Sequence, residues 1–199
     1  KSSKDSQGGL VAAAGGADLR TAGMRYGGRI RNGHYRMYAK AIEVDDTFNA
    51  AGADTNTGFR RRQAGFRADW DLGGYGLRVS GDAYQGRLGQ TGTRDIRISG
   101  ANLTTALETR LAGGSDLHIG LILDHTERSQ PRAFAERLDT ADLSLQHNVR
   151  LGERHRLSWG GGYRNSADRV ENGPAFGFLP GEVRLHWANL FAQDEVALS

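Results

Sequence analysis

The sequence predicts an all-β protein, an antiparallel transmembrane β-barrel segment of about ten strands. Three observations carry that expectation. Apolar and polar residues alternate at period 2 along most of the chain. The connections alternate between short glycine-bearing turns and long polar segments. Only 38% of the 199 residues are hydrophobic and the mean hydropathy is -0.56, yet the chain lacks the featureless tracts of a disordered protein.

Along the chain, residues 1–8 begin Lys1-Ser2-Ser3-Lys4-Asp5-Ser6 and carry no apolar h-region, so they read as a disordered or linker segment, with the barrel segment spanning 9–199. The first strand starts at the apolar run Leu10 to Ala14. From Ala64, the residues Ala64, Phe66, Ala68, Trp70 and Leu72 share one face, opposite Arg67, Asp69 and Asp71. After Gly73-Gly74, Tyr75, Leu77, Val79 and Ala83 oppose Arg78, Ser80, Asp82 and Tyr84. Leu103, Leu107 and Leu111 oppose Thr104, Glu108 and Arg110. Leu117, Ile119, Leu121 and Leu123 oppose His118 and Asp124, with Ile122 interrupting the polar side. Ala141, Leu143, Leu145, Val149 and Leu151 oppose Asp142, Ser144, Gln146, Asn148 and Arg150, with His147 as the exception. Leu157, Trp159 and Tyr163 oppose Arg156, Ser158 and Arg164.

Short turns fall at Arg31-Asn32-Gly33, Leu72-Gly73-Gly74, Ala112-Gly113-Gly114-Ser115 and Gly152-Glu153-Arg154, each with the Gly or Asn that positive φ favours. Longer polar connections are expected at Asp45 to Phe59, Arg87 to Asp95, Glu127 to Glu136 and Asn165 to Val183. Short on one side and long on the other is the hairpin rule of outer-membrane barrels, whose long loops lie outside the cell. Strands of roughly 10 to 16 residues reach across a bilayer when tilted, whereas soluble strands average about 5 to 6. No run of about 18 apolar residues is present, so no transmembrane helix is expected. Alternation alone also fits a soluble antiparallel sandwich or solenoid.

Several chemistries find no support. Cysteine is absent, which removes disulfide frameworks and Cys-based zinc sites. The 26 basic and 23 acidic residues are interspersed, without the clustering that nucleic-acid binding wants. Asp124 and His125 are adjacent, and adjacent strand residues point to opposite faces, so they cannot act as an acid–base pair. The other histidines (His34, His118, His147, His155 and His186) have no metal-ligand spacing. Asp54-Thr55-Asn56-Thr57-Gly58 imitates the start of an EF-hand loop, but its Gly comes one place early and Gly65 stands where the closing Glu belongs. Asn102-Leu103-Thr104 is a sequon in a strand, and Gly160-Gly161-Gly162 precedes no helix that would make it a phosphate loop. No catalytic residue, metal ligand or cofactor is therefore expected. Two groups are candidates for binding. Asp82, Tyr84, Asp124 and Arg164 face inward on the outer half of the wall and are candidates for ligand contact. Arg60, Arg61 and Arg62 stand where a long loop re-enters the wall, and are candidates for contact with lipopolysaccharide phosphates or another anion.

Three segments resemble a known family. Met24-Arg25-Tyr26-Gly27-Gly28, followed by Tyr35-Arg36-Met37-Tyr38-Ala39-Lys40, resembles the R-Y-G-G and Y-R-x-Y-x-K strands of TonB-dependent outer-membrane receptors. Gly65-Phe66-Arg67-Ala68-Asp69-Trp70 resembles their G-F-R-x-D-W strand, and Asn189-Leu190-Phe191-Ala192-Gln193-Asp194-Glu195 their F-x-Q-D-E segment. The resemblance implies a barrel of the 22-stranded type, of which this chain is a fragment without the plug. It further implies outer-membrane localisation and uptake of a scarce nutrient, most often a ferric siderophore. The implied partners are outer-membrane lipid and lipopolysaccharide, a small-molecule ligand, and the TonB complex reached through the plug. A passive porin or structural outer-membrane barrel and a soluble β-protein with a binding role are the alternatives. None of these readings is an enzyme.

Overall fold

A computed structural model describes residues 2–175 and 177–197. The last two positions of the expected barrel segment, and Phe176 within it, lie outside the described residues. The described chain forms one antiparallel sheet: β1 (Gly8–Gly15), β2 (Leu19–Ile30), β3 (Gly33–Val44), β4 (Phe59–Asp71), β5 (Tyr75–Leu88), β6 (Ile96–Arg110), β7 (Asp116–Gln130), β8 (Phe134–Leu151), β9 (His155–Asn172) and β10 (Glu182–Val196). Each strand pairs with its neighbours in sequence, from β1 through to β10. Among the described residues there is no helix.

The expected period-2 faces are realised strand by strand, because directly paired residues share a face. One row runs Arg25, Tyr38, Gly65, Asp82, Asn102, Asp124, Thr140 and Ser166 across β2 to β9 and is almost wholly polar. The next residue along each strand gives Tyr26, Met37, Phe66, Gly81, Leu103, Leu123 and Ala141, an apolar row on the opposite face. The apolar band crosses these rows obliquely. The row that begins apolar at Ala41 on β3 passes Arg62, Gln85, Ser99 and Glu127 and ends at Arg137 on β8. Tilted strands require such a drift if the band is to lie in one plane.

A single sheet has no second layer to cover its apolar face. Met24, Tyr26, Met37, Phe66, Leu143 and Trp159 are exposed there, and buried apolar residues are few. A contiguous apolar surface of this extent marks contact with something other than water. His147, the residue that interrupts the apolar pattern of β8, lies edge-on to Trp159 with ring centroids 5.5 Å apart and planes at 89°. An aromatic partner lets the imidazole sit on the apolar face.

The four short turns form at the expected places, joining β2 to β3, β4 to β5, β6 to β7 and β8 to β9. At the first of them, however, the positive φ belongs to Arg31 (50°), and Gly33 is already in β3. Gly33 serves another purpose: a Cβ there would sit 2.6 Å from the Asp69 carbonyl oxygen and closer still to a carbon of the Trp70 ring. At the opposite end the long connection before β4 is present, and the one before β6 starts only after Leu88. The other two are shorter than expected. β7 continues to Gln130 and β8 starts at Phe134, while β9 continues to Asn172, so much of the polar sequence read as loop is strand. Polarity misled the loop reading there, because strand ends that project beyond an apolar layer carry polar residues on both faces. β8 and β9 are each 18 residues long, past the expected upper bound.

Residues 2–7, expected to be linker or disordered, fold back over the polar face. The Ser3 backbone N–H donates to Asp69 Oδ2 (2.9 Å) and its hydroxyl to the Arg67 carbonyl (3.1 Å), and Ser3 and Ser6 are fully buried. A segment rich in Ser has little to bury against an apolar core, but it is well matched to a polar wall.

Candidate functional site

The polar face of β2 to β5 holds a connected cluster. The Tyr38 hydroxyl donates to the Asp82 carboxylate, and Gln63 Nε2 donates to Tyr38 Oη (2.7 Å) and reaches Asp82 Oδ1 (3.4 Å). The Arg61 guanidinium stacks over the Tyr84 ring, 4.5 Å from its centroid, a cation–π geometry. Tyr38 and Asp82 are on β3 and β5, so the tyrosine must cross β4 to reach the carboxylate. It does so over Gly65, where a Cβ would lie 2.8 Å from the Tyr38 ring. The backbone pairing thus aligns Tyr38, Gly65 and Asp82 in one row, and the missing side chain at the centre opens the path.

The cluster also contains donors without acceptors. Nε of Arg25, paired directly with Tyr38, and Nε of Arg61 are both covered and make no hydrogen bond. Buried donors are ordinarily satisfied, and Nε of Arg128, further along the same face on β7, is a third such donor.

Of the residues expected to touch ligand, Asp82 and Tyr84 belong to this cluster. Asp124 lies on the same row two strands further on. Arg164 also faces the polar side, but it stands on β9, about 19 Å from β5 at the usual strand spacing, and its Nε bonds Asp142 Oδ2 (2.8 Å) on β8. The four therefore occupy one wall but not one pocket. Tyr38, Gln63 and Arg25 are the partners that reading single strands missed, and Arg61, expected as an anion contact, joins them through the Tyr84 ring. Period-2 counting along one strand at a time could not show that Tyr38 spans a strand.

The three consecutive arginines divide. Arg61 points to the polar face and Tyr84, whereas Arg60 and Arg62 share the face of Ala64 and Phe66. Arg60 Nε pairs with Glu43 Oε1 at 2.7 Å. They are not one anion site, since neighbouring strand residues cannot face the same way. The EF-hand-like stretch is occupied locally: Asp54 Oδ1 accepts the Asn56 backbone N–H (2.7 Å) within a loop that Thr47, Thr55 and Thr57 stitch together. Among the described residues no cluster of three or more metal-ligating side chains occurs.

No family model matches the sequence, and no curated protein matches it either. Solved structures do match in shape. The siderophore receptor PirA from Pseudomonas aeruginosa superposes with a TM-score of 0.64 over 91% of this chain and 32% of its own, at 18% identity. The ferric enterobactin receptor PfeA, in complex with BCV-L6, gives 0.59 over 96% and 37%, at 12% identity. The copper transporter OprC gives 0.56 over 87% and 29%, at 12% identity. The chain thus spans about a third of the length of these solved chains. With ten consecutive antiparallel strands in one sheet, polar on one face and apolar on the other across β2 to β9, the chain has the fold of a β-barrel segment like that in these solved receptor and transporter chains.

Proposed function

We propose that the chain is part of the wall of an outer-membrane transporter that takes up a scarce nutrient, a ferric siderophore in the first instance, with energy delivered through TonB. The apolar face then meets lipid and the polar face lines the lumen. A closed, fully paired sheet satisfies every backbone group in hydrocarbon, which a lone ten-stranded sheet with free edges does not, so the reading requires further strands. The observation that carries it is the polar cluster of Arg25, Tyr38, Gln63, Asp82, Arg61 and Tyr84, opposite an apolar band on the same strands. The path of residues 2–7 supports it too: the chain reaches β1 from the polar side, the side that a lumen-filling plug would occupy. Likeness to a siderophore receptor and to a copper transporter favours a chelated or free transition metal as cargo.

The test is uptake of radiolabelled ferric siderophores by cells expressing the full-length protein, with and without TonB. Accumulation that requires both the protein and TonB is the expected result. Accumulation independent of TonB would make the protein a passive porin, and a full-length product soluble without detergent would make it a soluble β-protein.

A further inference from the structure

On the apolar side, at the end of the sheet with the long connections, the chain builds a concentration of positive charge that the lumen does not use. Arg60 on β4, Arg87 on β5 and Arg97 on β6 are directly paired in one row, with Arg62 two residues below Arg60 on the same face. Like charges directly opposite on neighbouring strands repel. Glu43 pairs with Arg60, while Arg62, Arg87 and Arg97 have no carboxylate within 4.0 Å among the described residues. Four guanidiniums against one carboxylate leave a net charge that an anion would neutralise.

The four arginines line a cleft of ≈ 440 Å³ with Gln85 and Ser99. Arg62, Gln85 and Ser99 are also the rim of an adjoining apolar groove of ≈ 750 Å³, floored by small residues including Ala22, Ala41, Ala64 and Ala83. The groove therefore starts where the charge ends. Guanidinium binds phosphate bidentately and favours such planar, charge-assisted contacts over any neutral head group. A free phosphate would use the arginines alone, whereas an amphiphile with phosphate at one end and acyl chains at the other uses both features.

We propose that Arg60, Arg62, Arg87 and Arg97 bind the phosphates of an outer-leaflet phosphoglycolipid, the diphosphorylated lipid A moiety of lipopolysaccharide, with its acyl chains along the alanine-floored groove. The proposal rests on the outer-membrane orientation given above, and it assigns a lipid site on the wall, separate from the lumen. Arg87 and Arg97 become parts of it, and Arg61, turned to the other face, does not.

The experiment uses the full-length protein in detergent micelles and measures binding of diphosphoryl lipid A, dephosphorylated lipid A, phosphatidylcholine and inorganic phosphate. The expected result is preference for diphosphoryl lipid A over the other three, with affinity falling about tenfold or more in Arg87→Gln/Arg97→Gln. Arg31→Gln, in a short turn at the opposite end, should leave that affinity unchanged. Because the double variant removes a repulsion, its unfolding midpoint in lipid-free micelles should equal or exceed that of the parent protein, which separates lost binding from lost folding. Equal binding of phosphorylated and dephosphorylated lipid A, inorganic phosphate binding as tightly as the lipid, or undiminished affinity in the double variant would each overturn the proposal. Nutrient uptake is not read in this assay, so its failure would leave the transport reading standing, and a loss of TonB-dependent uptake would not touch the lipid measurement.

Discussion

The Tyr38 hydroxyl reaches the Asp82 carboxylate across the bare backbone of Gly65, joining β3 to β5 over the intervening strand. Filling that gap should break the link. Gly65→Ala places a methyl group against both the Tyr38 ring and the Asp82 carboxylate, and overpacking of this kind costs about 1–3 kcal/mol. Tyr38→Phe keeps the ring and loses the hydroxyl, with the hydrogen bond it donates to Asp82 and the one it accepts from Gln63, a cost of about 1–2 kcal/mol in this half-buried setting. Urea unfolding of the full-length protein in lipid should show both losses. An unchanged midpoint for Gly65→Ala would mean that the tyrosine does not cross the strand.

Leu143 and Ser144 are neighbours on β8 that face opposite ways, with Leu143 on the exposed apolar side. If that side meets lipid, Leu143→Arg should destabilise the folded wall by about 2–4 kcal/mol, the cost of an arginine near the bilayer midplane. Ser144→Arg, beside Gly120 and Gly162 on the polar side, should cost far less. Folding titrations into lipid vesicles would check the pair, and equal costs would contradict the assignment of faces.

Asp69 gathers three partners: Arg67 Nη2 at 2.8 Å, Arg78 Nε at 3.4 Å and the backbone N–H of Ser3 at 2.9 Å. It is therefore the anchor of residues 2–7 on the polar face. Asp69→Asn removes the charge that all three share, and a charge-assisted hydrogen bond is worth about 1.5–3 kcal/mol. Cleavage of the N-terminal segment by a non-specific protease should quicken by about tenfold for each 1.4 kcal/mol of anchoring lost. A cleavage rate that does not change would show that the segment is held by other contacts.

The sheet was legible in the sequence because period 2 is enforced locally: most strands between Ala64 and Arg164 separate their apolar and polar residues regardless of what pairs with them, Ile122 and His147 apart, whereas β10 turns Leu185, Trp187 and Phe191 to the polar face. The strand ends were not legible. Residues such as Thr126 to Gln130 and Asn165 to Asn172 are polar on both faces, and the signal that separates loop from projecting strand is backbone pairing, to which composition is blind. The same limit applied to the polar cluster. Asp82 and Tyr84 could be placed on the polar side from β5 alone, but the role of Tyr38 depends on Gly65 standing between two strands that meet it only after folding. Arg60, Arg61 and Arg62 are adjacent in sequence but divide between the two faces, as neighbouring residues of a strand must.

The separation of Asp82 from Arg164 makes a final prediction about coupling. Tyr38 and Asp82 are bonded, so the stability effects of Tyr38→Phe and Asp82→Asn should be strongly non-additive, with the second change costing little once the first has removed the shared hydrogen bond. Arg164 instead pairs with Asp142, with more than half of the arginine side chain exposed, and such a pair is worth about 0–1 kcal/mol. Arg164→Gln should therefore shift the unfolding midpoint only slightly. Combined with Asp82→Asn, it should add to within about 0.5 kcal/mol, as sites beyond about 7–10 Å without shared partners do. The same cycle repeated with a bound siderophore asks a different question. Coupling between Asp82 and Arg164 that appears only when ligand is present would mean that one molecule touches both, because the two share no side-chain hydrogen-bond partner among the described residues. Additivity under both conditions would restrict ligand contact to one of the two places on the wall.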